Sequence, residues 1–426
     1  MPIGGGTFTQ QNKVLPGAYI NFVSMAVSRS GLSERGIAAL PLDLDWGPGG
    51  VFTVTAQEFA RNCRAIFGYP HGHEKLRRQR EIFRRAHRVH FYKLGTGGSR
   101  AANAFGTAKH VGERGNALIN TIEPAGTSFV VSTYLEKSLV DEQTVASAAE
   151  LADNSFMDFD KSATLALTSG TPLTGGTNGT VASGDHQTAL DNLESFHFNT
   201  LGCLSADETV KGLYAAYTKR MREETGAKFQ CVLHRYAAAD HEGVISVENN
   251  DTPELVAWVT GASAGCEINR SLQNTIYSGE YEVDVDHTKV QLEDAIESGK
   301  FIFCRVGDER RVLEDINTLV THTDAKNGDF SSNQTIRVLD QVAVDIAELF
   351  NNKYLGEIPN DTAGRTSLWS DIVSHHKEMQ QKWAIENFEP SNVKIERGEH
   401  RRSVVVDLVI TPVNAMSHLY MTVVVQ

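Results

Sequence analysis

The most constraining feature is a stretch near the end of the chain. Leu419-Tyr420-Met421-Thr422-Val423-Val424-Val425 is apolar and β-branched, with no charge and no proline, and it stops just before Gln426. Such a run reads as a strand, and left unpaired it is an aggregation hazard. Chain ends are normally polar and frayed. A similar segment lies near the start. After Gly4-Gly5-Gly6 and the turn Pro16-Gly17, residues Ala18-Tyr19-Ile20-Asn21-Phe22-Val23 read as a second strand. Two sticky terminal strands suit addition to the sheets of neighbouring subunits. The alternative is that both pair within one chain.

Composition bounds the rest. At 426 residues, about two to four domains are expected. Hydrophobic residues at 41% and charged residues at 22% are ordinary for a globular protein. No apolar run is long enough to span a membrane, and Met1-Pro2-Ile3-Gly4 lacks the regions of a signal peptide. A net charge of −13 argues against nucleic acid as the main partner. Cys63, Cys203, Cys231, Cys266 and Cys304 are widely spaced and form no CxxC pair. They read as reduced, mostly buried thiols of a protein made in the cytoplasm.

Along the chain, residues 31–54 read as a strand followed by a Gly/Pro turn cluster. Thr55 reads as the N-cap of a helix to Phe67, with Glu58 completing a capping box. Lys75, Arg77, Arg78, Arg80, Arg84, Arg85 and Arg88 lie around a helix whose Leu76, Ile82 and Phe83 face inward. This reads as a solvated face or a protein contact rather than a nucleic-acid patch. After a strand at 89–94, residues 95–182 turn rich in Gly, Ala, Thr, Ser and Asn, with β-prone pieces at 128–134 and 164–167. A small all-β domain is expected there, with one helical excursion at 140–153.

The next block alternates strand and helix. Asp185 caps a helix to Phe196, and a strand follows at 198–201. The helix at 206–225 carries Val210, Leu213, Tyr214, Tyr217 and Met221 on one face and ends at Gly226. Strands at 229–234 and 244–247 and a helix opened by Pro253 follow. That pattern predicts an α/β domain with a mostly parallel sheet. The last block reads as a strand at 301–306 and a helix at 334–351 burying Ile336, Leu339, Val342, Ile346 and Leu349. A second helix follows Pro359-Asn360-Asp361, with Leu368, Ile372, Met379 and Trp383 on its apolar side, then strands at 393–396 and 403–410, and Pro412 before the final strand.

Few motifs carry chemistry. Gly261-Ala262-Ser263-Ala264-Gly265 fits the G-x-S-x-G elbow of serine hydrolases, with Asp284, Asp286 and His287 following in chain order. The elbow needs a strained strand-to-helix turn, whereas Pro253-Glu254 is a better helix start and puts the motif in helix body. Gly95-Thr96-Gly97-Gly98 fails as a dinucleotide fingerprint, because Arg100 stands at the third glycine position and a strand follows. His71 with His73, and His375 with His376, lack a carboxylate or thiolate set and read as surface histidines.

Taken in order, several segments resemble the contractile tail sheath proteins of phages and phage-tail-like bacteriocins, in the version found in Gram-positive hosts. They are 6–22 (GTFTQQNKVLPGAYINF), 36–42 (GIAALPL), 46–48 (WGP), 112–116 (GERGN), 173–179 (LTGGTNG), 354–361 (YLGEIPND), 385–388 (IENF) and 419–425 (LYMTVVV). The resemblance covers nearly the whole chain.

The resemblance implies an α+β multidomain fold. Its parts are an N-terminal arm (1–30), the N-terminal part of the sheath core (31–90), a β-sandwich insertion (91–182), a subtilisin-like α/β domain (183–303), a C-terminal α+β domain (304–411) and a C-terminal arm (412–426). It implies that the terminal strands are exchanged between subunits through Tyr19, Ile20, Phe22, Leu419, Tyr420, Met421, Val423, Val424 and Val425. It implies hexameric rings stacked around a tail tube, contraction that drives the tube through a bacterial envelope, and movement in connecting segments such as 412–417. The expected partners are further copies of the chain, the tube protein, and baseplate and tail terminator proteins, with no nucleic acid, membrane, cofactor, metal or catalytic residue. The expected location is a virion tail or bacteriocin particle assembled in the host cytoplasm. The polar side of the 361–384 helix, with His375, Lys377 and Lys382, is the expected tube contact. A serine hydrolase using Ser263 is the alternative, and a carbohydrate-binding or adhesin-like tail protein is a third reading.

Overall fold

β1 (Ile37–Asp43) is an apolar run without polar alternation, and it lies inside a seven-stranded sheet. The computed structural model describes residues 32–425, so Tyr19, Ile20 and Phe22 lie outside the described residues. β2 (Val51–Thr55), α1 (Ala56–Phe67), α2 (Arg77–Phe83) and β3 (Arg88–Leu94) follow. β1 pairs in parallel with β3 over its whole length, and β2 closes that edge antiparallel to β3. α1 starts and stops where its residues say. Thr55 Oγ1 accepts from the Glu58 amide at 3.2 Å, Glu58 returns a carboxylate to the Thr55 amide at 2.9 Å, and Gly68 ends the helix at φ 80°.

An insertion then builds an antiparallel sandwich from β4 (Ala102–Asn103), β5 (Gly106–Ala108), β6 (Leu118–Ala125), β7 (Ser128–Leu135), β8 (Ser138–Val145), β9 (Met157–Phe159) and β10 (Thr168–Pro172). One sheet runs β10-β6-β7-β8 and the other β4-β5-β9. Leu118, Ile122, Val131, Leu135, Met157 and Phe159 fill the space between them. The helical excursion expected at 140–153 is absent. Residues 140–145 complete β8, and Ala148–Glu150 forms only a single 3-10 turn. The ladder from Phe129↔Val145 to Leu135↔Ser138 overrides the local helical preference. The strand expected at 164–167 falls instead at β10.

The chain enters and leaves the sandwich through paired segments, with bridges Thr96↔Thr180, Ser99↔Thr177 and Ala102↔Thr174. A Cβ on Gly98 would sit 2.7 Å from the Gly179 nitrogen and the Thr177 oxygen. The glycine cluster at 95–98 therefore serves backbone-to-backbone packing, not phosphate binding.

The parallel sheet resumes with α3 (Ser183–Leu193), β11 (Thr200–Gly202), α4 (Glu208–Arg220), β12 (Gln230–His234), β13 (Val244–Val247), α5 (Leu255–Gly265), α6 (Lys289–Glu297) and β14 (Lys300–Phe301). The strand order is β14-β13-β12-β11-β1-β3-β2. On one face Leu190, Val210, Tyr214 and Tyr217 cover Ile37, Ala39 and Leu201. On the other, Phe59, Ile82 and Ala264 cover Ala38 and Leu40. Burial on both faces is why β1 shows no alternation. Asp185 is not the cap of α3 but its third residue, whose carboxylate accepts from the Ala182 amide at 2.7 Å.

The strand expected at 301–306 breaks in two. Phe301 pairs with Val247, while β15 (Phe303–Val306) forms a hairpin with β16 (Glu309–Val312). Buried Asn249 causes the break. Its side chain accepts from the Phe303 amide at 2.7 Å and donates to the Phe303 carbonyl at 2.9 Å, replacing a ladder partner. The five cysteines are free and buried.

α7 (Asn333–Leu349), α8 (Thr362–Gln381), β17 (Ile385–Glu386), β18 (Val393–Arg397) and β19 (Val404–Leu408) follow. The described residues divide into two compact units, 34–343 with 412–425, and 344–411 with 32–33. The first part of α7 is fastened in the larger unit by buried ion pairs. Arg337 meets Asp315 at 2.5 Å, and Arg222 meets Asp340 through two bonds of 2.7 and 2.8 Å. Burial alone would raise the Asp315 carboxyl, but Arg337 outweighs it and holds the group below its ordinary range. In the smaller unit α8 begins at Asp361, whose carboxylate accepts from the Gly364 amide at 2.7 Å, and buries Leu368, Ile372 and Met379.

Trp383 does not join that apolar side. It is 75% exposed at φ 59°, past the end of α8. The Trp383 amide donates to the Gln380 carbonyl at 2.9 Å and the Ala384 amide to the Met379 carbonyl at 3.0 Å. This is a Schellman turn with tryptophan at the position usually held by glycine.

Candidate assembly surfaces

Ser263 lies in the body of α5 and is 1% exposed. Its Oγ has no hydrogen-bond partner among the described residues, so no base is placed to activate it. The flanking glycines account for the motif. A Cβ on Gly261 would lie 2.8 Å from the carbonyl carbon of Ile82, and one on Gly265 equally close to that of Arg85. These glycines let α5 approach the backbone of α2 and the residues after it. Among the described residues there is also no His/Cys/Asp/Glu cluster able to hold a metal, and no helix long and apolar enough to cross a membrane.

Much of the basic stretch is engaged within the chain. Arg80 makes two bonds to Glu280, of 2.7 and 2.6 Å, and donates to the His71 and His73 carbonyls. Arg84 also reaches Glu280, and Lys75 pairs with Asp45. Beneath them Glu81 is buried and accepts from Tyr277 Oη at 2.9 Å and from the Glu280 amide at 2.5 Å. Burial raises the Glu81 carboxyl above its ordinary range.

His375 and His376 are buried, not at the surface. His375 Nε2 meets Asp345 Oδ2 at 2.7 Å, which removes His375 from the expected polar side of α8. His376 Nδ1 bonds the Ile372 carbonyl at 2.8 Å and its ring stacks on Phe388, while burial pushes the imidazole down to about 4. Lys377 and Lys382 are exposed, the latter paired with Glu378 at 3.1 Å.

The C-terminal segment has two parts. Residues 413–415 are tied down, and the tie begins with Gln334 Nε2 donating to the Val413 carbonyl at 3.0 Å. From Val413 to Val425 no residue lies in a strand. Leu419 is 86% and Tyr420 92% exposed, and Met421, Val423, Val424 and Val425 are exposed too.

A second incomplete element is the hairpin of β18 and β19. It is a two-stranded sheet whose register runs from Val393↔Leu408 to Arg397↔Val404. Among the described residues β19 has no other strand neighbour, and Val405, Val406 and Val409 are exposed. A lone hairpin is marginal in water, and an open apolar edge invites a further strand. Sequence reasoning missed this open hairpin edge, the Gln334 tie and the exposure of Trp383. None has a local signal, because each depends on what the fold brings near or leaves bare.

Comparison with known proteins fits this picture. The model of the phage tail sheath protein beta-sandwich domain matches residues 95–178, that of the central domain 179–318, and that of the phage tail sheath C-terminal domain 325–426. The chain is 32% identical to the phage-like element PBSX protein XkdK of Bacillus subtilis (strain 168), over 99% of each chain. It is 33% identical to the sheath tail protein of Desulfitobacterium hafniense, with a TM-score of 0.81 over 94% of this chain and 98% of that one. For the sheath tail protein of Listeria innocua the identity is 28% and the TM-score 0.79, over 90% and 93%. All three family models describe phage tail sheath domains, and this chain belongs to the phage tail sheath protein family.

Proposed function

We propose that the chain is the structural subunit of a contractile tail sheath, held together by exchanged strands. The supporting observation is a pair of complementary deficits. Among the described residues the exposed apolar run 419–425 has no strand partner, and the β18–β19 hairpin has an open edge with exposed valines. A neighbour's run added to that edge makes several backbone hydrogen bonds, worth about 0.5–1.5 kcal/mol net each, and covers apolar side chains on both partners. The segment carrying Tyr19, Ile20 and Phe22 is the proposed second exchanged strand. Copies then form hexameric rings stacked around a tail tube. A change of packing drives the tube through an envelope without a bound nucleotide. The larger unit supplies the sandwich and the α/β domain, for which a subtilisin-like fold is proposed. The domain limits follow the arms and blocks given above. Tube, baseplate and terminator proteins are the other proposed partners, in a particle assembled in the host cytoplasm.

Cysteines at Val405 and Thr422 test the exchange. Oxidation of assembled protein should give ladders of cross-linked subunits on a denaturing gel, from tubes visible by negative-stain microscopy. Purely intramolecular bridges would refute it.

Lys377 and Lys382 are the proposed tube contacts, now without His375. Weak, screened contacts suit a tube that must be released. Reversing both charges should weaken co-assembly with the tube most at low salt. Unchanged co-assembly at every salt concentration would remove this surface from consideration.

A further inference from the structure

We infer that Gln334 clips the root of the C-terminal segment to the larger unit, so that the segment swings from Met416–His418 and not from Pro412. This rests on the exchange reading and extends it, by naming the residue that holds the arm and the body with which the arm moves.

The geometry is specific. Gln334 stands in the first turn of α7 and is 2% exposed. Its Nε2 donates to the Val413 carbonyl at 3.0 Å, and its Oε1 accepts from the Ala415 amide at 2.9 Å. One side-chain amide thus supplies both bonds of a ladder rung to residues two apart, and only one orientation of the amide satisfies both. Between them, Asn414 Oδ1 accepts from Ser332 Oγ at 3.3 Å and from Thr335 Oγ1 at 3.2 Å. The next residue, Met416, is fully exposed.

The clip sits on a firm base. The neighbouring Asn333 donates to Asp315 Oδ1 at 3.0 Å and to the Ile316 carbonyl at 2.8 Å, and accepts from Gln230 Nε2 at 2.8 Å. Arg337, one turn on, meets Asp315. A pull on the exchanged strand is therefore passed through residues 413–415 to the start of α7 and on to the strands of the larger unit. Among the described residues, 416–418 carry no comparable tie, so rotation between lattices falls on them.

Amide exchange on the full chain, kept unassembled by dilution, tests the clip. The Ala415 amide should exchange on the order of tenfold to a hundredfold more slowly than the amides of 419–425. Gln334→Ala should abolish that difference while leaving amides of the β1–β3 ladder protected. A disulfide between Ser332→Cys and Asn414→Cys should form on oxidation and leave polymerisation and contraction as in the wild type. An Ala415 amide as fast as that of Val423 in the wild type overturns the inference. So does a lock that fails to form, or one that forms and stops contraction. The exchange measurement needs no assembly. A tail-deleted chain that still made tubes would sink the exchange reading and leave this result standing.

Discussion

Gly261→Ala is expected to destabilise the chain by about 3 kcal/mol or more, whereas Ser263→Ala should stay within about 1 kcal/mol of wild type. The glycine has no room for a methyl group. Its Cβ would press on the backbone carbonyl of Ile82, which cannot rotate away as a flexible side chain can. Either α5 and α2 separate, opening the core around Phe59, Ile82 and Ala264, or the sheet beneath them shifts. Alanine's better helix propensity returns only about 1 kcal/mol. Gly265→Ala should behave alike, against Arg85. Ser263 is the contrast. Its buried hydroxyl has no partner among the described residues, so its loss removes a polar atom that gains nothing from burial. Ser263→Leu adds bulk to a packed helix and should cost about 1–3 kcal/mol. Urea unfolding of the four variants measures all of this. A Gly261→Ala protein as stable as wild type would show that the helices are not held at contact. Labelling of Ser263 by an active-serine probe would overturn its structural role.

The two glycines also show how a short motif misleads. G-x-S-x-G was legible as a catalytic pattern, but what it does depends on the element it falls in. Here the helix-start signal at Pro253-Glu254 was the better guide. In general, features with a local cause were readable. The capping box at Thr55 and Glu58 marked α1, Gly226 marked the left-handed stop after α4, and strand–helix alternation marked the parallel sheet. Features with a distant cause were not. Nothing in FIFCRV says that Asn249, over fifty positions away, will take the ladder bonds of Phe303. Nothing near His375 says that Asp345 will meet it in the core. The 140–145 segment has helix-compatible residues and becomes a strand because β7 lies beside it. Trp383 has the period of the apolar stripe, yet the helix stops two residues short and a left-handed turn throws the ring outward. The candidate surface was legible in half. The apolar run at 419–425 was visible, while the hairpin proposed to accept it and the Gln334 clip were not.

The second large effect is expected from removing residues 419–426. The truncated protein should fold and remain soluble but form no tubes. Folding should survive because Leu419, Tyr420, Met421, Val423, Val424 and Val425 are exposed on the single chain, so their removal takes nothing from its cores. The clip at Val413–Ala415 also stays in place. Far-ultraviolet circular dichroism and the urea midpoint should match the full chain, with a stability change under about 1 kcal/mol. Solubility should rise, since an uncharged β-prone run is the kind of segment that nucleates aggregation. Polymerisation, by contrast, depends in the proposed exchange on what the run does to a neighbour. Seven residues added to β19 offer several ladder bonds together with apolar burial, a combined contribution on the order of several kcal/mol per link. In the proposed exchange each subunit both gives and receives a strand, so the loss is repeated at every link of the lattice and cannot be compensated locally. Single changes that keep the strand but spoil it, such as Val424→Pro, should act like the deletion, because proline removes a donor and the ladder with it. Sedimentation and negative-stain microscopy would read the outcome. Tubes of ordinary length from the truncated chain would show that other surfaces hold the sheath together. Global unfolding would show that the run belongs to the fold of its own subunit.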